Sequence, residues 1–409
     1  MAKVIVIGGG AAGLMAAGCA ARRGAQVLVL ERNDRPARKV MITGKGRCNV
    51  TNNCNLVSDL VANVPTNGRF LFSAFMHFMP NDLMELVENE GVPLKIERGN
   101  RVFPASDKAV DIVDALVRWC ESGGARIEKG RVTSLKIDDG GINGVETEAG
   151  DTYDCDRVII ATGGVSYPLT GSSGDGYALA RQAGHTIIDP QPALVPLVCH
   201  EGFCADLQGL TLKNVAVSVL DNETYKEVYR DFGELLFTHF GVSGPTVLSA
   251  SCHLKDMAKG RYSIHIDLKP ALTYEKLDDR ILRDFAENSN KNFINALDSL
   301  LPKKLVPVMV RLVGVKPQTK VNQITREQRA RLVNLLKDLT VTVNGFRPVE
   351  EAVVTRGGVS VKEIDPKTME SRLCSGLFFA GEVIDVDAYT GGFNLQIAFS
   401  TGHLAGESV

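Results

Sequence analysis

Lys3-Val4-Ile5-Val6-Ile7-Gly8-Gly9-Gly10-Ala11-Ala12-Gly13 is the stretch on which the fold turns: a short β-branched run, a cluster of glycines, then an Ala- and Leu-rich helical pattern. The order reads as strand, tight turn, helix. Gly8 permits the turn, Gly10 lets a backbone come close to a pyrophosphate, and Gly13 lets the helix pack on the strand. Ala11 and Ala12 complete the turn, and the free amides of the helix start face the phosphates. A dinucleotide fits that geometry. Glycine-rich turns also arise for conformational reasons alone, so the flanks decide. Gly24 ends the helix, residues 26–30 form a second apolar strand, and Glu31 follows about twenty residues after the turn, where a carboxylate can bind ribose hydroxyls. Glu31 also argues against a 2′-phosphate, since two anions would meet there, although Arg32 and Arg35 soften that exclusion.

Composition agrees with a soluble enzyme. A chain of 409 residues exceeds what one core usually serves, so two or three domains are expected. The net charge of −2 lacks the footprint of a general nucleic-acid binder, so a small-molecule substrate is expected rather than a nucleic acid. The nine cysteines show no secreted-scaffold spacing. The uncharged run over residues 4–21 is explained by the strand and helix rather than by a signal segment, and no membrane anchor is expected. These features point to a reducing cytoplasm. Nothing in the sequence sets the oligomeric state.

Residues 38–52, RKVMITGKGRCNVTN, form a basic, glycine-containing loop rich in amide side chains, suited to wrapping an anion with backbone and side-chain donors. GGGAAG followed by TGKGRCNVTN resembles, nearly end to end, the bacterial flavoprotein family of aminoacetone-oxidase-like enzymes and BaiN-type (YhiN-like) bile-acid reductases. The resemblance implies FAD, with Ala12, Glu31, Arg38, Lys39 and Gly44 at positions that contact it. Thr43, Arg47 and Asn49 of the same loop and Arg32 beside Glu31 are further candidates. Cys48 and Cys54 raise the alternative of a disulfide reductase. Their C-x5-C spacing across turn-forming Asn and Thr residues differs from the C-x4-C at a helix start of those enzymes, so a packing role is expected for Cys48.

Residues 59–89 read as mostly helical, with Phe70, Leu71, Phe75, Phe78 and Met79 as a core face. A second helix is expected over 109–122, capped by Ser106 or Asp107. The family's GR-x-FP-x-S pattern precedes it, with Asn100 in place of the glycine. Short strands over 125–128, 131–137, 142–147 and 152–155, separated by Asp/Gly turns, read as a β-meander. Val132 matches a family position whose backbone meets the adenine. A further parallel strand over 157–161 ends in Thr162-Gly163-Gly164, where the chain passes close to a cofactor at the carboxyl edge of the sheet. Residues 165–177 carry GxxGxG rather than GxGxxG and cap the next helix; a second nucleotide fingerprint is not expected.

The prolines of Asp189-Pro190-Gln191-Pro192 mark a boundary, after which strands are expected over 194–199, 212–220, 235–238 and 262–268. His239, in a glycine-rich turn, reads as a hydrogen-bonded structural residue rather than a proton donor. No His/Cys cluster has metal-ligand spacing, and no metal is expected. Residues 273–338 are helical, with more basic than acidic residues, and by position would form a lid or spacer over the flavin. The chain then returns through a strand over 376–380 to Gly381-Glu382, where flavoproteins place an acidic residue against the flavin's ribityl or phosphate portion. Gly392, Phe393, Asn394 and Leu395 open the last helix. Its free amides would point partial positive charge at the pyrimidine side of the flavin, favouring the reduced form by about 0.3–1 kcal/mol.

These readings specify an α/β protein: a Rossmann-type FAD-binding domain, glutathione-reductase-like with a β-meander, over 1–190 and 349–409. It is interrupted by a β-barrel-like insert over 191–272 and 339–348 and a helical insert over 273–338. The expected activity passes a hydride from NAD(P)H, a transient co-substrate, through FAD to an unsaturated, carbonyl-conjugated small molecule such as a bile-acid or steroid enone. Relatives imply amine oxidation with oxygen as an alternative, and the basic insert suggests, from another class, an RNA-linked flavoprotein. No residue is singled out as catalytic.

Overall fold

Val4, Ile5, Val6 and Ile7 are all buried, because the strand they form, β1 (Lys3–Ile7), lies at the centre of a parallel sheet covered on both faces. A computed structural model describes residues 1–409 as two units, Met1–Ala193 with Pro348–Val409, and Leu194–Arg347. In the first, β1 is followed by helix α1 (Ala11–Arg22) and by β2 (Gln26–Glu31), β3 (Arg126–Lys129), β4 (Arg157–Ile160) and β5 (Leu377–Phe379). The strand order is β5-β4-β1-β2-β3, every pair parallel. The strand expected to open the meander is therefore β3: Ile127 pairs with Val29 of β2, and only Val132–Asp138, Gly141–Thr147 and Thr152–Asp154 make the antiparallel meander.

Two faces hold α1. Its Gly18 lies under Trp119 of the Ala109–Ser122 helix, where an added Cβ would stand 2.2 Å from the indole. On its other side runs the last helix, α2 (Phe393–Ser408), whose Gly402 and Gly406 approach the carbonyls of Ala12 and Ala16 so closely that a Cβ would stand 2.4 and 2.3 Å away. Small residues on both helices let the two backbones meet. The Ala109–Ser122 helix starts where expected, but neither expected residue caps it: Ser106 bonds Asp111 and the Lys108 amide, and Asp107 turns outward to Arg47 and Lys95.

The prolines read as a boundary lie within a strand, Ile187–Ala193, antiparallel to Val354–Val359. A two-stranded ribbon tolerates them because its outer edge needs no donor. The second unit is a closed six-stranded barrel, Leu197–Cys199, Gly241–Ser243, Lys226–Thr238, Thr211–Asp221, Tyr262–Asp267 and Leu339–Phe346 in order round the wall. Its Lys226–Thr238 strand is far longer than the four residues expected, and Gly241–Ser243 is an additional strand. Helices Tyr274–Glu287, Val306–Val313 and Arg326–Lys337 pack on the barrel, and Leu277, Met309 and Leu332 share its core with Ile264 and Val341.

Candidate cofactor cleft

At the carboxyl ends of β1, β2 and β4 the backbone turns tightly enough to leave a cleft. Gly8 has φ 101°, and a Cβ there would stand 2.7 Å from the Ala161 carbonyl at the end of β4. A Cβ on Gly13 would fall 1.9 Å from the Gly8 carbonyl, so Gly13 serves helix–strand packing and lies off the cleft. Gly10 differs: a Cβ added to it meets nothing within 4 Å. The space beside the start of α1 is empty of protein, as a cradle for a pyrophosphate requires. Gly8, Gly10, Ala11 and Ala12 all line the cleft.

One wall comes from the end of β2. Glu31 is buried; its Oε2 accepts the Gly9 amide at 2.7 Å, and its Oε1 accepts the Asn33 amide at 2.8 Å and Asn33 Nδ2 at 2.7 Å. The carboxylate thus ties the glycine turn as well as facing the cleft. Arg32 lines the cleft but its charge is taken: it donates to Ser173 and, at 3.1 Å, to Asp175. Arg131 donates to both oxygens of Asp175, at 2.9 and 3.0 Å. Burial pushes the Asp175 carboxyl up, but Arg131 and Ser173, with Arg32, hold it below the ordinary carboxylate range. A carboxylate shared by two guanidiniums leaves little free positive charge here for a 2′-phosphate. Val132 and Arg38 complete this end, Arg38 donating to Asn33 Oδ1 at 3.2 Å.

The opposite wall comes from the segment after β5. Gly381, φ 75°, passes so close to α1 that its Cβ would stand 2.8 Å from that of Ala12. Glu382 is held from three sides: Lys39 Nζ at 2.7 Å, Ser166 Oγ at 3.1 Å and the Thr355 amide at 2.8 Å. Lys39 also donates to Ser166 Oγ at 2.6 Å. Two residues expected to meet the cofactor separately are thus an ion pair at the cleft wall. Thr43, Thr162, Gly163, Asn394 and Leu395 line the cleft with them. Thr162 Oγ1 is buried without a partner and lies against Gly176, where a Cβ would stand 2.1 Å from it. α2 begins at Phe393 behind Gly391 and Gly392, both at positive φ, and the Asn394 side chain bonds the Ala388 amide and carbonyl, which leaves its backbone for the cleft.

Several expected contacts lie elsewhere. Arg47 donates to Glu97 and to Asp107, the latter at 2.7 Å, and stacks on Phe103; two carboxylates draw it away from the cleft. Gly44 packs against the Asn49 amide, and Asn49 Oδ1 is buried without a partner outside the cleft lining. Gly392 sits on Thr51, where a Cβ would stand 2.3 Å from the carbonyl, and Phe393 is buried in the core. In the other direction, the sequence reading missed Arg131, Thr170, Ser172, Asp175 and Val354, which all line the cleft. The donor-rich run 170–175 was the available signal, and reading it only as a helix cap hid it.

The thiols argue against a disulfide reductase. Cys48 is fully buried and burial pushes its thiol up to about 12 despite a hydrogen bond with Thr43, while burial also raises Cys54, whose Sγ reaches Asn52 Oδ1 at 3.1 Å. Thiols held protonated are poor nucleophiles. His239 is exposed at the end of Lys226–Thr238 and meets only the edge of Phe240; the hydrogen-bonded role expected of it is absent.

The cleft fits FAD: a glycine turn with open space beside Gly10 at a helix start, an acidic residue at the end of β2 and a largely apolar lining. When bound, FAD supplies two-electron transfer between a reductant and an acceptor. No helix is long and apolar enough to cross a membrane. The chain is 34% identical over 402 residues to the ribosomal RNA dihydrouridine synthase of Escherichia coli, spanning 97% of this chain and 95% of that one. It is 32% identical over 416 residues to the 3-dehydro-bile acid delta(4,6)-reductase of Clostridium scindens, spanning 100% and 99%. The fold matches that of 3-ketosteroid delta1-dehydrogenase from Sterolibacterium denitrificans with a TM-score of 0.52 at 13% identity, over 99% of both chains. The sequence model of the HI0933-like protein Rossmann domain matches residues 2–408, and the chain belongs to that family of FAD-dependent oxidoreductases.

Proposed function

We propose that this chain reduces a carbon–carbon double bond conjugated to a carbonyl, with FAD held in the cleft of the first unit. The observation that carries the reading is the full-length similarity, at 34% and 32% identity, to two reductases whose named substrates differ but share one chemistry. Making dihydrouridine saturates the uracil double bond next to a ring carbonyl; the bile-acid reductase acts on a 3-oxo steroid with conjugated double bonds. For such an acceptor the proposed step delivers a hydride to the electrophilic end of the conjugated double bond and a proton to its other carbon, two electrons and two protons in all. NAD(P)H is the proposed hydride source and leaves as NAD(P)+. With no second nucleotide fingerprint in the sequence, it would dock only transiently.

The residues proposed to hold FAD are those that converge on the cleft. Gly8, Gly10, Ala11 and Ala12 offer backbone to the pyrophosphate; Glu31 and Val132 stand at the adenosine end. Lys39, Glu382, Gly381 and Asn394 form the far wall, where the first amides of α2 favour negative charge. The reading is tested by mixing the FAD-loaded protein anaerobically with NADH, NADPH or a primary amine, then analysing an added acceptor. Bleaching by a nicotinamide and gain of two hydrogens by the acceptor are expected. Bleaching by the amine alone would make the protein an amine oxidase instead.

A further inference from the structure

Residues 288–326 contain seven basic side chains, Lys291, Lys303, Lys304, Arg311, Lys316, Lys320 and Arg326, and a single acidic one, Asp298, in a chain whose net charge is −2. Arg311 is paired with Asp206, and Lys304 donates to the Gln208 carbonyl. Lys291, Lys303, Lys316, Lys320 and Arg326 are exposed and no carboxylate stands in an ion pair with them.

Three of these lysines sit on a pinned edge. The Phe293 amide donates to the Thr319 carbonyl at 2.8 Å, the Val321 amide to the Lys291 carbonyl at 3.0 Å, and the Asn322 amide to the Ser289 carbonyl at 3.1 Å. These bonds lace residues 289–294 to 317–322, with Asn292 bridged to Lys320, so that Lys291 and Lys320 stand on adjoining positions of the two segments and Lys316 just precedes the second. Asn290, Gln318, Asn322 and Gln323 are exposed among them. Amides both donate and accept, and beside ammonium groups they suit phosphate oxygens and ribose hydroxyls.

We infer that this edge docks the sugar–phosphate backbone of folded RNA; the inference rests on the reductase reading above, with a uridine of that RNA as the acceptor. Two features select the partner. The segment exposes no aromatic ring, Phe293 being buried, so it lacks the stacking platform of a single-strand binder and suits shape and backbone recognition. It also exposes no large apolar side chain with which to enter a lipid interface. The remainder of the chain is net acidic, which favours phosphate contact at this segment over the rest of the surface.

The test uses full-length, FAD-loaded protein and three probes: ribosomal RNA stripped of protein, single-stranded poly(U), and phosphatidylglycerol vesicles. For the triple variant Lys291→Glu, Lys316→Glu and Lys320→Glu, the dissociation constant for ribosomal RNA at about 0.1 M monovalent salt rises at least about tenfold, and the slope of log affinity against log salt falls by about two to three. The milder Lys→Gln triple variant shifts both in the same direction, while Lys255→Glu with Lys259→Glu, elsewhere on the unit, leaves them unchanged. FAD content and bleaching by nicotinamide stay as in the parent. An unaltered affinity and slope in the triple variants, an equal loss in the Lys255/Lys259 control, tighter binding to poly(U), or binding to vesicles in place of RNA would each overturn the inference. If a steroid enone is reduced and RNA is not bound, docking fails while the reductase reading stands. If RNA binds through these lysines yet never reoxidises the reduced flavin, docking stands and RNA as the substrate of the reductase falls.

Discussion

Gly10 and Gly13 stand three residues apart and do different jobs. A methyl group on Gly13 collides with the Gly8 carbonyl, whereas one on Gly10 points into empty space. Gly10→Ala is therefore expected to keep the melting temperature of the FAD-free protein while weakening FAD by about tenfold, or roughly 1.4 kcal/mol, as read by flavin fluorescence titration. Equal affinity would show that the cofactor's phosphates lie elsewhere. His185 yields a prediction of another kind. Burial pulls its imidazole below the ordinary value, against Glu363 at 3.3 Å from Nδ1, while Nε2 bonds Ser371 Oγ at 2.7 Å. With the folded value depressed, the unfolded chain takes up the proton first, so stability present above the ordinary histidine range is lost as pH falls through it. Urea melts between about pH 7.5 and 5.5 are expected to show this decline, and His185→Gln to flatten it; an unchanged slope would remove the assignment. At this scale the fingerprint was legible because its geometry is local. Arg47 was not: its partners Glu97 and Asp107 lie 50 and 60 residues downstream, and a basic loop does not announce which carboxylates will fold onto it. The Arg131–Asp175 pair escaped for the same reason.

Among the elements, the pairing of α1 with α2 closes the cleft-bearing unit, since it joins the start of the chain to its end. Its contact depends on glycine: a side chain at Gly406 would strike the Ala16 carbonyl and Cys19 Cβ. Gly406→Val is expected to destabilise the unit by about 1–3 kcal/mol, the usual cost of overpacking, seen as a lower urea midpoint with the m-value kept. A midpoint equal to the parent's would mean that the helices lie farther apart. Strands with β-branched runs, β1, β2 and β4, were legible as strands, and so was the meander through its Asp/Gly turns. Two things were not. β3 joins the parallel sheet by pairing with β2, a choice that local pattern does not record, and the proline-bearing ribbon at 187–193 forms only because Val354–Val359, far along the chain, lies beside it.

For the whole molecule, net charge does not record how charge is placed. A value near zero is an average, and the average conceals a segment of one sign, 288–326, held out on a laced edge of the second unit. Composition argued against nucleic acid, whereas similarity to an RNA-modifying reductase and the placement of these lysines favour it as a partner to test. Fold class and cofactor were legible end to end because both rest on short-range geometry at the termini; the acceptor was not, because enones as different as uracil and a steroid ask the same chemistry of a flavin. The most direct measurement follows the flavin absorbance of the fully reduced protein, without oxygen, as an acceptor is titrated in. The oxidised spectrum is predicted to return in step with acceptor, one conjugated double bond saturated per flavin, for uridine-containing ribosomal RNA or a 3-oxo-4-ene steroid. A flavin that stays bleached with every such acceptor and recovers only when oxygen is admitted would contradict the reductase assignment.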